Sequence, residues 1–178
     1  MHCLQVCAVA ALAMLAGCSN PAGGTKTGSE KTYVMGAPAA VGPLSYTVLH
    51  SEWADSLETG DGVTMPKNRF LVLDLSIVSG APEETGVPLL SLVDDKGNRT
   101  MEEQKMVGLG GWLGMLRVLR PVETLSGKIV FDVPMANYKL IITSGGDPEK
   151  EQEAFVDIPL RLEGVSMPGA DAVPPAAK

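Results

Sequence analysis

Residue types that commonly carry catalysis or bind metals are scarce in this sequence. The 178 residues include two histidines and three cysteines. A Ser-His-Asp triad would have to use His50, since His2 lies in an N-terminal segment with the features of a cleaved leader, and no Gly-x-Ser-x-Gly motif is present. A zinc site needs three or four Cys, His or carboxylate ligands. We therefore predict no catalytic residue and no metal site, and keep a hydrolase built around His50 only as a third hypothesis.

Glycine and methionine patterns also fail to predict a cofactor. The glycines of residues 108–111 follow no clear strand and lack the spacing of a dinucleotide fingerprint, and no phosphate-binding loop is present. Seven methionines follow Cys18, and thioether sulfur suits Cu(I), but these methionines are dispersed along the chain. Core packing explains them better. We predict no cofactor, and a small-ligand or metal carrier is the alternative function.

Cys18 is the residue whose surroundings predict a covalent reaction. Residues 3–16 are almost all apolar, too few to span a bilayer but typical of a secretory signal peptide. Leu15-Ala16-Gly17-Cys18 resembles a bacterial lipobox, in which the thiol receives a diacylglycerol and a peptidase cuts before the cysteine. The alternative is a short buried helix of a cytosolic domain. Lipidation at Cys18 would provide a stable membrane anchor, because two or three acyl chains bind far more firmly than one.

Lipidation has two consequences for the rest of the chain. Cleavage removes Cys3 and Cys7, so the mature fold would depend on no disulfide. Ser19, by resemblance to lipoproteins that lack Asp after the lipidated cysteine, predicts the periplasmic face of the outer membrane in a Gram-negative cell.

The charge balance limits the other partners. The net charge is −7, with the basic residues scattered along the chain. Nucleic acid is a poor partner for such a protein. The sequence offers no polybasic patch for anionic lipid either, so we expect the membrane contact to be made through the lipid alone.

Composition divides the chain into four segments. We predict a signal peptide at 1–17, a flexible tether at 18–32, a folded domain at 33–163 and a disordered tail at 164–178. The tether is rich in Gly, Ser and Thr, and a coil of this length spans about 20 Å.

Period-2 alternation of apolar residues predicts strands throughout the domain. The strongest is at 69–79, and others are predicted at 44–53, 89–93, 126–133, 138–143 and 154–162. Residues 55–66 are expected to form a loop, and Pro159 predicts that the last strand is bulged or lies at an edge. Glycines interrupt the helical spacing of residues 101–119. The fold class is therefore all-β, an Ig-like antiparallel β-sandwich with a short helical or irregular insertion around 101–119.

Three segments, 69–75, 92–97 and 119–134, carry a family resemblance. Their order resembles a family of Ig-like domains of unknown function, common in bacterial lipoproteins and secreted proteins and related in fold to the mycobacterial immunoprotective antigen. The resemblance implies the sandwich and an extracytoplasmic location, and it transfers no catalytic residue. Val122 stands where the family usually has glycine.

Trp112 is the residue we single out as a partner contact. It lies in an apolar, glycine-broken stretch together with Leu109 and Leu113, and aromatic side chains in such settings often anchor partners. The alternative is that Trp112 closes one end of the core. The sequence thus predicts a lipid-anchored, non-enzymatic envelope module that binds another envelope protein.

We predict from the sequence that Trp112→Ala leaves the fold intact and abolishes capture of a partner in a pull-down. An unfolded variant would place Trp112 in the core instead.

Overall fold

The computed structural model describes residues 31–145 and 151–160. Within these ranges the chain forms thirteen strands and no helix. They are β1 (Thr32–Val34), β2 (Ala39–Val41), β3 (Leu44–Ala54), β4 (Leu57–Thr59), β5 (Gly62–Thr64), β6 (Arg69–Ser79), β7 (Thr85–Gly86), β8 (Ser91–Val93), β9 (Arg99–Met101), β10 (Val118–Leu119), β11 (Thr124–Val133), β12 (Tyr138–Thr143) and β13 (Glu153–Ile158). The all-β prediction is confirmed.

Two sheets form the sandwich. The first has the strand order β1-β13-β12-β8-β9, and the second has the order β11-β6-β3-β2. Every pairing is antiparallel except that of β1 with β13, which is parallel. The predicted antiparallel sandwich is thus confirmed, with one parallel pairing added at its edge. The two strands are far apart in sequence, so no short turn fixes their relative direction.

The main core lies between the sheets and is filled by alternate residues of the long strands. On β6 the inward residues are Leu71, Leu73, Leu75 and Ile77, all buried. Each such side chain contributes about 1.5–3 kcal/mol when it leaves water. Tyr46 links the two sheets, because its hydroxyl donates to the Thr143 carbonyl oxygen at 2.8 Å. Burial raises the pKa of Tyr46 above its ordinary value, so this hydroxyl stays a neutral donor.

Two local predictions are wrong. Residues 55–66, expected to be a loop, contain the β4–β5 hairpin, which Thr59 and Thr64 hold through a hydroxyl contact of 3.0 Å. The last strand is neither bulged nor at an edge, since β13 lies between β1 and β12 and ends at Ile158, before Pro159. Ending the strand there means that the missing N–H of proline disrupts no ladder.

The turn from Arg120 to Glu123 contains an unusual backbone conformation. The Glu123 N–H donates to the Arg120 carbonyl oxygen at 3.1 Å, and Pro121 and Val122 are the two central residues. Val122 has a φ of 62°, the value that the third residue of a type II turn requires and that glycine supplies without cost. A β-branched residue is a rare outlier in this region. The turn geometry thus favours glycine, the residue usual at this position in the family that the sequence resembles.

We expect Val122→Gly to raise the free energy of unfolding by about 1 kcal/mol, because the left-handed conformation costs an L-residue about 1–2 kcal/mol. Urea unfolding measures the change. The matched control is Val63→Gly, at an exposed strand position without positive φ, which should destabilise the protein. A Val122→Gly variant less stable than the parent would show that the turn is not strained.

Candidate functional site

Residues 102–117, here called the covering loop, pack on the outer face of the second sheet. The Glu103 N–H donates to the Val130 carbonyl oxygen at 2.7 Å. Farther along, the Lys128 N–H donates to the Gly111 carbonyl oxygen at 2.7 Å, and the Leu113 N–H donates to the Lys128 carbonyl oxygen at 3.0 Å. The loop is therefore hydrogen-bonded to the edge strand β11, which confirms an irregular insertion rather than a helical one.

Beneath the loop is a second apolar cluster. Phe70, Val72 and Val130 point away from the main core and are buried against Met106. Sequence alternation treats β6 as buried on one face only, and at Phe70 and Val72 that interpretation is wrong. The covering loop explains the difference, since it removes from water one half of a sheet face that would otherwise be exposed.

The three predicted partner-contact residues hold this loop in place. Leu109 and Trp112 pack against the second cluster. Leu113 packs against the main core and over Gly127, where a Cβ would come within 2.7 Å of its side chain. All three side chains are half-buried. Trp112 thus packs on the outer face of the second sheet and not at one end of the main core, and Trp112→Ala is expected to loosen the loop.

A buried ion pair joins the two ends of the loop. Glu102 and Arg117 have fully buried side chains, and two hydrogen bonds of 2.5 and 3.0 Å connect them. Glu102 also accepts the Leu90 N–H at 2.6 Å, and the Arg117 Nε donates to the Gly114 carbonyl oxygen at 2.7 Å. Both charges are thus paired and hydrogen-bonded, as buried charges must be. Nothing in the sequence distinguishes these residues from surface charges.

The strongest exposed apolar feature follows directly from this pair. Along residues 116–119 the side chains alternate, so that buried Arg117 and Leu119 direct Leu116 and Val118 to solvent. Leu116 is 97% exposed and Val118 is 61% exposed, with Met115 beside them. We call Met115, Leu116 and Val118 the crest. Sequence reasoning missed it, because alternation around Arg117 predicts the charged side chain outward and Leu116 and Val118 inward, the reverse of the observed arrangement.

Other candidate chemistry lies away from the crest. His50 is exposed on β3, just after the irregularity in its pairing with β6. An open cavity of about 370 Å³ lies at the end of β13, lined in part by Val34, Tyr138 and Pro159. Within 31–145 and 151–160, no group of three or more His, Cys, Asp or Glu side chains could hold a metal ion. In the same residues no helix is long and apolar enough to span a membrane.

Comparisons with known proteins support the fold. No family model matches the chain, and no curated protein matches it in sequence. The yjhA protein of Bacillus subtilis superposes with a TM-score of 0.51 at 15% identity, over 70% of this chain and 99% of that one. MPT63, a secreted protein of Mycobacterium tuberculosis, gives 0.50 at 11% identity, over 71% of this chain and 96% of that one. The ycdA protein of Bacillus subtilis, provisionally described as a lipoprotein, gives 0.50 at 13% identity, over 67% of this chain and 38% of that one.

At these identities the similarity establishes the fold alone. The similarity to a secreted mycobacterial protein agrees with the kind of fold that the sequence resemblance implied. The lipidation of Cys18 lies outside the described residues and stays a prediction.

We expect Arg117→Met to lower the free energy of unfolding by about 3–5 kcal/mol, because the Glu102 carboxylate is then buried without its counter-ion. Adding Glu102→Gln should recover much of the loss, since the amide oxygen can still accept the Leu90 N–H and no buried charge remains. Urea unfolding followed by tryptophan fluorescence measures both changes.

Arg120→Met is the control, because Arg120 pairs with Glu84 at 3.6 Å in an exposed position where an ion pair contributes less than about 1 kcal/mol. Equal losses for Arg117→Met and Arg120→Met would mean that the buried pair does not hold the loop.

Proposed function

We propose that this protein is a lipid-anchored, non-enzymatic module of the cell envelope that binds another envelope protein through the crest. The observation that carries the proposal is the exposure of Leu116, which is 97% accessible although the next residue, Arg117, is fixed in the core. An exposed leucine on a flexible loop would be unremarkable. Here the buried Glu102–Arg117 pair holds the backbone on which the crest lies, so its side chains are presented in a fixed arrangement before a partner arrives.

The chemistry of the crest indicates the kind of partner it fits. Met115, Leu116 and Val118 offer an aliphatic surface without a charged group, and Gly86 faces Val118 across the short β7–β10 pairing and adds no side chain. Such a projection fits an apolar pocket with a polar rim, the arrangement in which a few side chains carry most of the binding energy. Trp112, Leu109 and Leu113 contribute by supporting the loop rather than by direct contact.

The anchor and the location are the second part of the proposal. Support comes from the lipobox at Leu15–Cys18 and from the occurrence of this fold in a secreted protein and in one provisionally described as a lipoprotein. Lipid on Cys18 would attach the module to the membrane, at the periplasmic face of the outer membrane in a Gram-negative cell.

A photoreactive residue at position 116 should form a strong crosslink to another envelope protein in intact cells, because the side chain would enter the partner's pocket. Mass spectrometry identifies the adduct. A probe at position 63 is the matched control, since Val63 is also largely exposed but lies on the β4–β5 hairpin. Equal labelling from both positions, or no adduct from position 116, would count against the crest as the binding surface.

A further inference from the structure

Val122 combines backbone strain with exposure. Its φ of 62° disfavours a β-branched residue, and its side chain is 83% exposed. The strain is therefore not offset by burial within the protein. Strained residues of this kind cluster at functional sites, so the Val122 side chain is a candidate for a contact outside the fold.

The position of the Arg120–Glu123 turn in the sandwich indicates what the Val122 side chain could contact. The Val122 N–H donates to the Ser79 carbonyl oxygen at 3.1 Å, at the end of β6. Next to it, the Gly80 N–H donates to the Pro43 carbonyl oxygen at 2.7 Å, and Gly42 lies against Ser144. The turns at Gly42, Gly80 and Ser144 therefore lie at the same end of the sandwich as the Val122 turn.

The chain also enters the sandwich from this end. Ser144 follows β12, and the first residue pair of β12 with β13 at this end is Thr143 with Glu153. Two residues farther along β13, the Phe155 N–H donates to the Lys31 carbonyl oxygen at 2.9 Å. β1 runs from there toward the opposite end, so Lys31 lies at the end that carries Val122. We call it the Lys31 end.

The distance to the proposed anchor is short. Twelve residues, 19–30, separate Cys18 from Lys31. A coil of that length and composition spans about 20 Å. Lipid on Cys18 would therefore hold the Lys31 end at a high effective concentration near the bilayer, where even a weak contact is populated.

We propose that the Arg120–Glu123 turn contacts the bilayer surface, with Pro121 and Val122 entering the boundary between headgroups and acyl chains. The proposal rests on the lipid anchor of the proposed function, and it adds a second membrane contact to the one that the sequence predicted. Apolar side chains enter this boundary favourably, and flanking charges stay at the headgroups. Arg120 and Glu123 flank the two apolar residues and are both exposed.

The charged side chains around the turn favour lipid headgroups without net charge. Glu83, Glu84 and Glu123 are exposed around the turn together with Arg120, so carboxylates outnumber the basic group. Anionic headgroups would be repelled, and zwitterionic phosphatidylcholine is the suitable probe membrane.

The test uses the full acylated protein in phosphatidylcholine vesicles that carry a nitroxide-labelled lipid as quencher. Val122→Cys is labelled with an environment-sensitive fluorophore, and Val63→Cys on the β4–β5 hairpin is the matched control, 66% exposed in the parent. We expect a blue shift and quenching at position 122 and neither at position 63. Pro121→Cys repeats the measurement in the same turn should Val122→Cys fail to fold.

The outcomes separate the two proposals. Vesicle flotation and a wild-type Cys18 that does not react with thiol reagents show that the anchor is present. An anchored protein whose probes at 121 and 122 stay aqueous overturns the turn contact and leaves the anchor intact. If the probes are shielded in intact cells but not in vesicles, the turn contacts a protein partner, and the proposed contact with the bilayer is overturned. A protein that neither floats nor blocks Cys18 overturns the anchor and the turn contact together.

Discussion

The buried pair of Glu102 and Arg117 is the interaction on which the outer architecture depends. It fixes both ends of the long, glycine-rich covering loop. Both side chains are fully buried, so water does not compete for their hydrogen bonds. With those ends fixed, Met106 can be held against Phe70 and Val130 to make a second apolar cluster. Because the Arg117 side chain is buried, the alternation of side chains along residues 116–119 directs Leu116 to solvent. One ion pair thus determines which apolar residues are hidden and which are presented.

Local patterns predicted the parts of the fold that local chemistry decides. The bounds of β6 and β12 follow from alternation and from the turns beside them. In the turn between β8 and β9, Asp94 accepts the N–H groups of Lys96 and Asn98. The parallel pairing of β1 with β13 could not be predicted in this way, because it joins segments from opposite parts of the sequence. No residue pattern encodes such a long-range choice.

The candidate site was only partly predictable for a related reason. Aromatic character drew attention to Trp112, and its setting among glycines was correctly taken as irregular. Whether an apolar residue in such a stretch points inward depends on what lies beneath it, and the apolar half of the second sheet that the loop covers was not visible from β6 alone. Charged residues are usually exposed, so Glu102 and Arg117 gave no sign that they would be buried.

The parallel pairing at the edge of the first sheet has a mechanical consequence. β1 begins at the Lys31 end, and β13 runs in the same direction and finishes at the opposite end. A pull between the N-terminal attachment and a load applied beyond Ile158 would therefore act along both strands in opposite senses. Hydrogen bonds loaded in this shearing geometry bear the force together, whereas a hairpin pulled from its open end separates one bond at a time. The edge that carries the parallel pairing is thus oriented to resist a force that pulls Lys31 and Ile158 apart.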